Sequence, residues 1–373
     1  MSKLEELIQQ HCSDGVEYMP IGQISEIKRG ERLTKSSLKA DGEYIVVSGG
    51  VSPMGRYTNY NRNENTITIS SYGAAGYVGF QTEKFWANDV CLCVFPKDII
   101  SNKYLYYALK REQNYLYSKT TKAIPDHIPT EIILDLKIPV PPLPVQEEIV
   151  RILDAFTELQ AELQAELQKR LQQYEYYRDK LLSFSDLSNW GGQEVSVEWK
   201  KLGEITTILR GKRLTKSQLS NDKPYAVYHG GLEPLGYYES ANRTANTTMI
   251  INVGASAGTI GYSKEDFWSS DGCYCVEHSK SFNDRYIYYV LQTQEQQLKS
   301  KVRVAGIPTL DRPVVEDLLI PIPPLAEQQR IVDILDKFYT LTADLTAGLP
   351  AEIEARRKQY EYYRDQLLTF KKK

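Results

Sequence analysis

The side chains best placed to do chemistry form two Cys-X-Cys pairs, Cys91/Cys93 and Cys273/Cys275, in a chain with five cysteines. Such thiols could ligate a metal or carry a redox step, but zinc sites favour a wider C-x2-C spacing with a second ligand pair nearby. A spacing of two also puts both thiols on one face of a strand, where free cysteine packs as a small hydrophobe. The pairs therefore read as buried strand residues. The four histidines, His11, His127, His229 and His278, are scattered, and only His229 adjoins a Gly-rich turn; they read as surface or capped side chains. Neither a G-x4-G-K-[ST] loop, nor a G-x-G-x-x-G opening a helix, nor H-E-x-x-H occurs. The Asp/Asn-Pro-Pro-Tyr segment of amino-methyltransferases is missing, and Pro125-Asp126 has no following Glu-X-Lys. No catalytic residue and no metal site are expected.

Binding signals are richer. Residues 28–35 and 209–216 each gather three or four cations beside a glycine and a threonine. Lys28, Arg29, Arg32, Thr34, Lys35, Arg210, Lys212, Arg213, Thr215 and Lys216 could meet phosphates through charge, hydroxyl and backbone N–H. A solvated strand-to-turn segment accounts for them equally well. The loops 49–60 and 230–242, with the residues just after them, carry Arg56, Asn59, Asn61 and Arg62 against Glu233, Glu239, Asn242 and Arg243. Arg and Asn suit guanine and adenine edges, so Arg56, Asn59, Arg62, Asn242 and Arg243 join the candidates, with Tyr72 and His229 from neighbouring turns. These loops are expected to diverge on a shared frame.

That frame is written twice. Arg29-Gly30-Glu31-Arg32-Leu33-Thr34-Lys35-Ser36 returns as Arg210-Gly211-Lys212-Arg213-Leu214-Thr215-Lys216-Ser217, an offset of 181. Ile138-Pro139-Val140-Pro141-Pro142-Leu143 returns as Ile320-Pro321-Ile322-Pro323-Pro324-Leu325, an offset of 182. Gln173-Tyr174-Glu175-Tyr176-Tyr177-Arg178-Asp179 returns letter for letter at 359–365, an offset of 186. Periods this long signal duplicated domains, not a solenoid. Each copy opens with short β-branched and aromatic stretches between Gly-rich turns, such as Tyr44-Ile45-Val46-Val47, which predict strands. A helix is predicted over 102–117, with the paired Tyr106/Tyr107 and Tyr288/Tyr289 as core. A stiff Pro-rich bridge, 138–144 or 320–324, then leads into a helix. In the first copy the helix runs from about Leu143 to Phe184 with an apolar stripe at spacings of three and four. At 1.5 Å per residue it spans about 60 Å and needs a partner along its stripe. Inside it the unit Glu-Leu-Gln-Ala repeats across 158–168. The second helix contains Gly348-Leu349-Pro350, which predicts a kink or break. The two helices are expected to pack antiparallel about a pseudo-twofold axis.

Composition sets outer limits. The chain has 373 residues, 25% of them charged, and a net charge of −3. This excludes a broadly basic coat, so any nucleic-acid contact must come from local patches. The sequence shows no apolar run near the ~18 residues of a membrane span, and its first residues lack the pattern of a signal peptide; a cytoplasmic location is expected.

The chain resembles the DNA specificity subunits of type I restriction–modification systems. The resemblance rests on 141–150 with its counterpart 323–331, and on 349–365, and spans essentially the whole chain. It implies an α+β fold: two similar, mostly-β target recognition domains, separated by two long antiparallel helices forming a coiled-coil spacer, as a pseudo-twofold internal repeat. The implied layout is an N-terminal helical segment 1–16, recognition domains 17–140 and 191–322, and conserved helices 141–190 and 323–373. The family's function is non-catalytic: reading a bipartite, asymmetric site in double-stranded DNA while docking two methyltransferase subunits and the restriction subunits. S-adenosylmethionine, ATP and Mg²⁺ then belong to those partners. Candidate docking residues are Gln146, Tyr174, Tyr177, Arg178, Gln328, Tyr360, Tyr363 and Arg364. The rival readings are a two-domain scaffold that binds no DNA and a stand-alone nucleic-acid-modifying enzyme.

Overall fold

The computed structural model describes residues 2–121, 125–184, 196–278, 282–342 and 347–373. It divides into two compact units, residues 1–164 with 353–373, and residues 165–352. The expected boundary at 190/191 lies outside the described residues, as does the side chain of His278.

In the first unit α1 (Lys3–His11) leads to β1 (Tyr18–Pro20), α2 (Ile21–Ile24) and β2 (Ser25–Arg29). Then come β3 (Tyr44–Val47), β4 (Gly55–Tyr57), β5 (Thr66–Ser70), β6 (Val78–Gln81), β7 (Phe85–Ala87) and β8 (Cys91–Pro96). α3 (Asn102–Arg111), α4 (Gln113–Ser118), α5 (Thr130–Leu134) and β9 (Lys137–Pro139) complete the sheet part. One sheet has the order β2-β8-β5-β6, all antiparallel. A second has the order β4-β3-β7, with β3 and β7 parallel. Every residue of β5, Thr-Ile-Thr-Ile-Ser, is buried, as a central β-branched strand should be. The single helix predicted over 102–117 is two, because Glu112 (φ −82, ψ 4) leaves the helical region. Gln113 then accepts the Val78 N–H and fixes α4 to β6.

α6 (Leu143–Ser183) is one helix of 41 residues between the two sheet domains. It starts one residue before Pro144, so the stiff bridge ends at Pro142; proline is tolerated in a first helical turn, where its missing N–H has no partner to lose.

The second unit repeats the order. It runs β10 (Glu198–Lys201), α7 (Leu202–Ile205), β11 (Thr206–Arg210), β12 (Tyr225–Tyr228), β13 (Gly236–Tyr238) and β14 (Thr247–Ile251). β15 (Ile260–Ser263), β16 (Trp268–Ser269), β17 (Cys273–His278), α8 (Asp284–Thr293), α9 (Glu295–Ser300), α10 (Arg312–Glu316) and β18 (Leu319–Ile322) follow. Its sheets, β11-β17-β14-β15 and β13-β12-β16, match those of the first unit strand for strand. Two helices come last, α11 (Leu325–Thr342) and α12 (Gly348–Leu367). The break predicted at Gly348-Leu349-Pro350 is met at the first of these residues, where α12 begins. Gly348 has φ +72, and a Cβ there would lie 2.4 Å from the carbonyl oxygen of Thr340. Only glycine satisfies both conditions.

The same devices fix helix to sheet part in each unit. Gln146 is fully buried, accepts the Ser101 N–H (2.7 Å) and donates to the carbonyls of Pro141 (2.7 Å) and Ile99 (3.0 Å). Gln328 is equally buried, accepts the Asn283 N–H (3.0 Å) and donates to Pro323 (3.0 Å). The Tyr104 hydroxyl donates to Pro139 (3.0 Å), that of Tyr286 to Pro321 (2.9 Å). Lys103 and Tyr107 converge on Asp154 (2.6 and 2.7 Å), Arg285 and Tyr289 on Asp336 (2.7 and 2.5 Å). In the first unit Lys3 and Arg151 also close on the buried Glu148 carboxylate, at 2.9 and 2.7 Å. Hydrogen bonds from Arg151 first, then Lys3, hold that carboxyl down at about 2.

The first core gathers Val145, Ile149 and Leu153 of α6, and the second gathers its Leu181 and Leu182. Between them Leu159, Leu163 and Leu167 are only half-buried. Phe156 stacks on Tyr363 at 5.5 Å within the first unit, and Tyr177 on Phe338 at 5.8 Å within the second. Tyr107, Tyr288 and Tyr289 are buried as expected, while Tyr106 is half-buried against the core.

Candidate nucleic-acid interface

The two basic segments leave β2 and β11 in the same way. A Cβ on Gly30 would lie 2.2 Å from the carbonyl oxygens of Ala87 and Asn88, and one on Gly211 2.2 Å from those of Ser269 and Ser270. The glycine is there for backbone approach. Just beyond, Glu31 N–H donates to Ala87 at 2.8 Å and Lys212 N–H to Ser269 at 2.9 Å. The Trp86 indole N–H donates to the Glu31 carbonyl (2.9 Å) and that of Trp268 to Lys212 (2.7 Å). Each arch is thus strapped to its second sheet.

Strapping leaves the cations on the surface. Arg29, Arg32, Lys35, Lys212, Arg213 and Lys216 are exposed and form no ion pair among the described residues. Lys28 pairs with Glu26 at 3.1 Å, and the Arg210 Nε reaches only the Asp271 carbonyl, at 3.4 Å. The hydroxyls of Thr34 and Thr215 engage Ser36 (2.8 Å) and Gln218 (2.9 Å), closing the short turns that follow.

Four candidates for base contact turn out to brace the fold. Arg62 donates to the carbonyls of Asn61 and Arg29, both at 2.6 Å, and Arg243 to those of Asn242 (2.6 Å) and Arg210 (3.2 Å). Asn242 clasps the backbone of Ser269 from both sides, N–H at 2.7 Å and C=O at 2.9 Å, as Asn61 clasps Ala87. Asn61-Arg62 and Asn242-Arg243 are therefore one shared device, so these residues belong to the frame and not to the variable loops. Arg56 donates to Gly42 (2.6 Å) and Glu43 (2.5 Å), holding β4 to the preceding turn. Asn59 is exposed. Tyr72 lies against His127, ring centroids 4.5 Å apart, and His229 Nδ1 lies 3.3 Å from the Asp271 carboxylate, off hydrogen-bonding alignment.

The cysteine pairs pack as strand residues: Cys91 and Cys93 with Phe85 and Ala87, Cys273 and Cys275 with Met249, Ile251 and Phe267. Among the described residues no group of three or more His, Cys, Asp or Glu could hold a metal ion.

Of the docking candidates, Gln146 and Gln328 are buried and fully hydrogen-bonded within the chain, so they position the bridge. Tyr174 donates to Gln292 at 3.0 Å, and Arg178 and Arg364 each pair with the next aspartate at 2.8 Å. Tyr360 is half-buried against the first core, and Tyr363 is 40% exposed. The repeated heptapeptide presents two further residues that spacing alone did not single out. Tyr176 and Tyr362, equivalent in the two copies, are 60% and 62% exposed.

Residues 13–173 and 194–355 each match the model of the type I restriction modification DNA specificity domain. A protein named as a type I restriction enzyme specificity subunit of Haemophilus influenzae is 32% identical over 95% of this chain and 96% of its own length. The EcoR124I/EcoR124II specificity subunit of Escherichia coli is 30% identical over 100% of this chain and 98% of its own. The crystal structure of an S subunit from M. genitalium shares the fold, with a TM-score of 0.64 at 22% identity over 95% of both chains. Both copies thus match one and the same DNA specificity domain model. This chain belongs to the type I restriction–modification DNA specificity family.

Proposed function

We propose that each unit reads one half of a split, asymmetric site in double-stranded DNA. The carrying observation is the contrast between frame and loop. Glycine, tryptophan and the Asn-Arg clasp recur in both copies, whereas Ser52, Asn59 and Tyr60 are replaced by Glu233, Ser240 and Ala241 at the corresponding positions. The exposed cations of the two arches supply sequence-independent phosphate contacts, and the divergent loops supply base contacts. The recognition domains are assigned to 17–140 and 191–322, after a helical segment 1–16, with the helical regions 141–190 and 323–373 as spacer.

The chain acts as the non-catalytic subunit. Two methyltransferase subunits dock on the matching heptapeptides 173–179 and 359–365, with Tyr176 and Tyr362 as equivalent anchors, and restriction subunits join that core. S-adenosylmethionine, ATP and Mg²⁺ belong to those partners, and the assembly works in the cytoplasm. No described helix is long and apolar enough to cross a membrane. Mapping of methylated DNA in the host with and without this gene tests the reading. One bipartite motif should lose its methylation in the deletion; an unchanged map would overturn it.

A further inference from the structure

The two units differ at one place where the frame is otherwise the same. In the first, a cavity of about 230 Å³ opens between the 50–53 loop and the β5–β6 hairpin. Its floor is Gly79, where the nearest atoms to an added Cβ are Thr68 Oγ1 (2.8 Å), Gln81 Nε2 (3.3 Å) and Tyr77 Cε1 (3.5 Å). In the second unit Gly261 occupies this position, and Leu232 Cδ2 stands 2.3 Å and Met249 Cε 3.3 Å from the same point. Four of the lining substitutions add bulk or remove polarity: Tyr228 for Val47, Leu232 for Val51, Met249 for Thr68 and Ile251 for Ser70. Two others, Thr259 for Tyr77 and Ser263 for Gln81, are smaller. One copy plugs the space that the other keeps open. Filling such a space with apolar side chains stabilises a fold, so the open, hydroxyl-lined version forgoes stability for something else.

The lining states what fits. Walls come from Val47, Val51, Pro53 and Phe80, and polar groups from Thr68, Ser70, Tyr77 and Gln81. Thr68 and Ser70 are 3% and 4% exposed, and Gln81 Nε2 reaches the Thr68 hydroxyl only at 3.3 Å. The lining holds no Asp, Glu, Lys, Arg or His, which disfavours phosphate, carboxylate or amine. A polar cavity of this size does not stay dry. A carboxamide offering donor and acceptor, beside hydroxyls and between apolar walls, is the chemistry that holds a nucleobase by its edge and face.

From this we infer that the first unit carries a pocket for a single neutral nucleobase, held at its edge by Gln81, Thr68 and Ser70. Its source is either a base turned out of the bound duplex or a free base. The site stands apart from the half-site assignment above, since free-base binding requires no DNA reading.

The test uses the full chain and a variant carrying Val51→Leu, Thr68→Met and Ser70→Ile, the residues of the second unit. Saturation-transfer NMR with free adenine, cytosine, guanine and thymine should detect binding to the native chain. The signal should vanish in the filled variant, while Gln81→Ala, which leaves the space open, should weaken binding about tenfold. In parallel, duplexes with 2-aminopurine at successive positions of the recognised site are compared on both proteins. Brightening with the native chain but not the filled variant identifies an extruded base. Free-base binding without brightening identifies a free base. Absence of both, or binding that survives the filling substitutions, overturns the pocket. A chain that reads its DNA site yet fails both arms would sink this inference and leave the half-site reading intact.

Discussion

Arg62 and Arg243 look like base-reading side chains in sequence and are clasps in the structure, whereas the cations of the arches stay exposed. The difference predicts two kinds of phenotype. Lys35→Ala should leave the melting temperature unchanged and lower the slope of log affinity against log salt by about 1, for cognate and unrelated DNA alike. Arg62→Ala leaves the Arg29 and Asn61 carbonyls without their charged donor and should destabilise the first unit by about 1–3 kcal/mol, read by urea unfolding. If Arg62→Ala changed only DNA affinity, the clasp assignment would fail. Glu148 supplies a pH test. Its carboxyl is depressed to about 2, so its stabilising contribution is present above the unfolded value of about 4.3 and is lost as pH falls from there towards 2. Glu148→Gln should flatten that part of the stability–pH curve. The basic segments were legible in sequence because charge beside glycine is local information. The roles of Arg62 and Asn242 were not, because their partners, Arg29 and Ser269, lie 33 and 27 residues away.

Among the elements, α6 was the easiest to foresee, its apolar stripe running from Ile149 to Leu181 within the observed Leu143–Ser183. Its middle is different in kind: Leu159, Leu163 and Leu167 are half-buried, between stretches anchored in the two cores. The four-residue repeat thus sits where length can change without disturbing either core. Deleting Glu162–Ala165 should shorten α6 by about 6 Å, near two base-pair steps at ~3.4 Å each. Methylation mapping of that variant should show the same half-sites with a shorter gap; an unchanged gap would disprove the spacer role. The break between α11 and α12 was visible as Gly348-Leu349-Pro350, though not which of the three residues enforces it. Within that segment the constraint is Gly348, seated against the last carbonyls of α11. Gln146 and Gln328 mark the opposite limit. Recurrence in both copies looked like partner binding, and it reflects two buried staples that bond equivalent backbone groups.

At the scale of the molecule, the duplication was plain in the sequence, and the match of sheet orders follows from it. Exposure within the heptapeptide was not plain, since seven identical letters do not say which faces outward. Tyr176 and Tyr362 do. A large, exposed aromatic is a common anchor of an interface, so Tyr176→Ala and Tyr362→Ala should each weaken the docking of one methyltransferase subunit by about 2 kcal/mol. Native mass spectrometry should show one subunit lost from either single variant and both from the double. Loss of both from a single variant would show that the two sites are not independent.

The hydrogen bonds of Val16 with Lys371 and Lys373, and of the Tyr18 hydroxyl with the Phe370 carbonyl, bear on the order in which the units form. The second unit is a continuous stretch, 165–352, whereas the first needs residues 353–373. On a ribosome, therefore, the unit translated first is finished last. Its opening segment waits across some 352 residues of sequence for its partner strand, a closure that is slow and entropically costly. Proteolysis of stalled nascent chains should find 165–352 protected while residues near Tyr18 are still cut, and protection of both should come only when residues 353–373 have emerged.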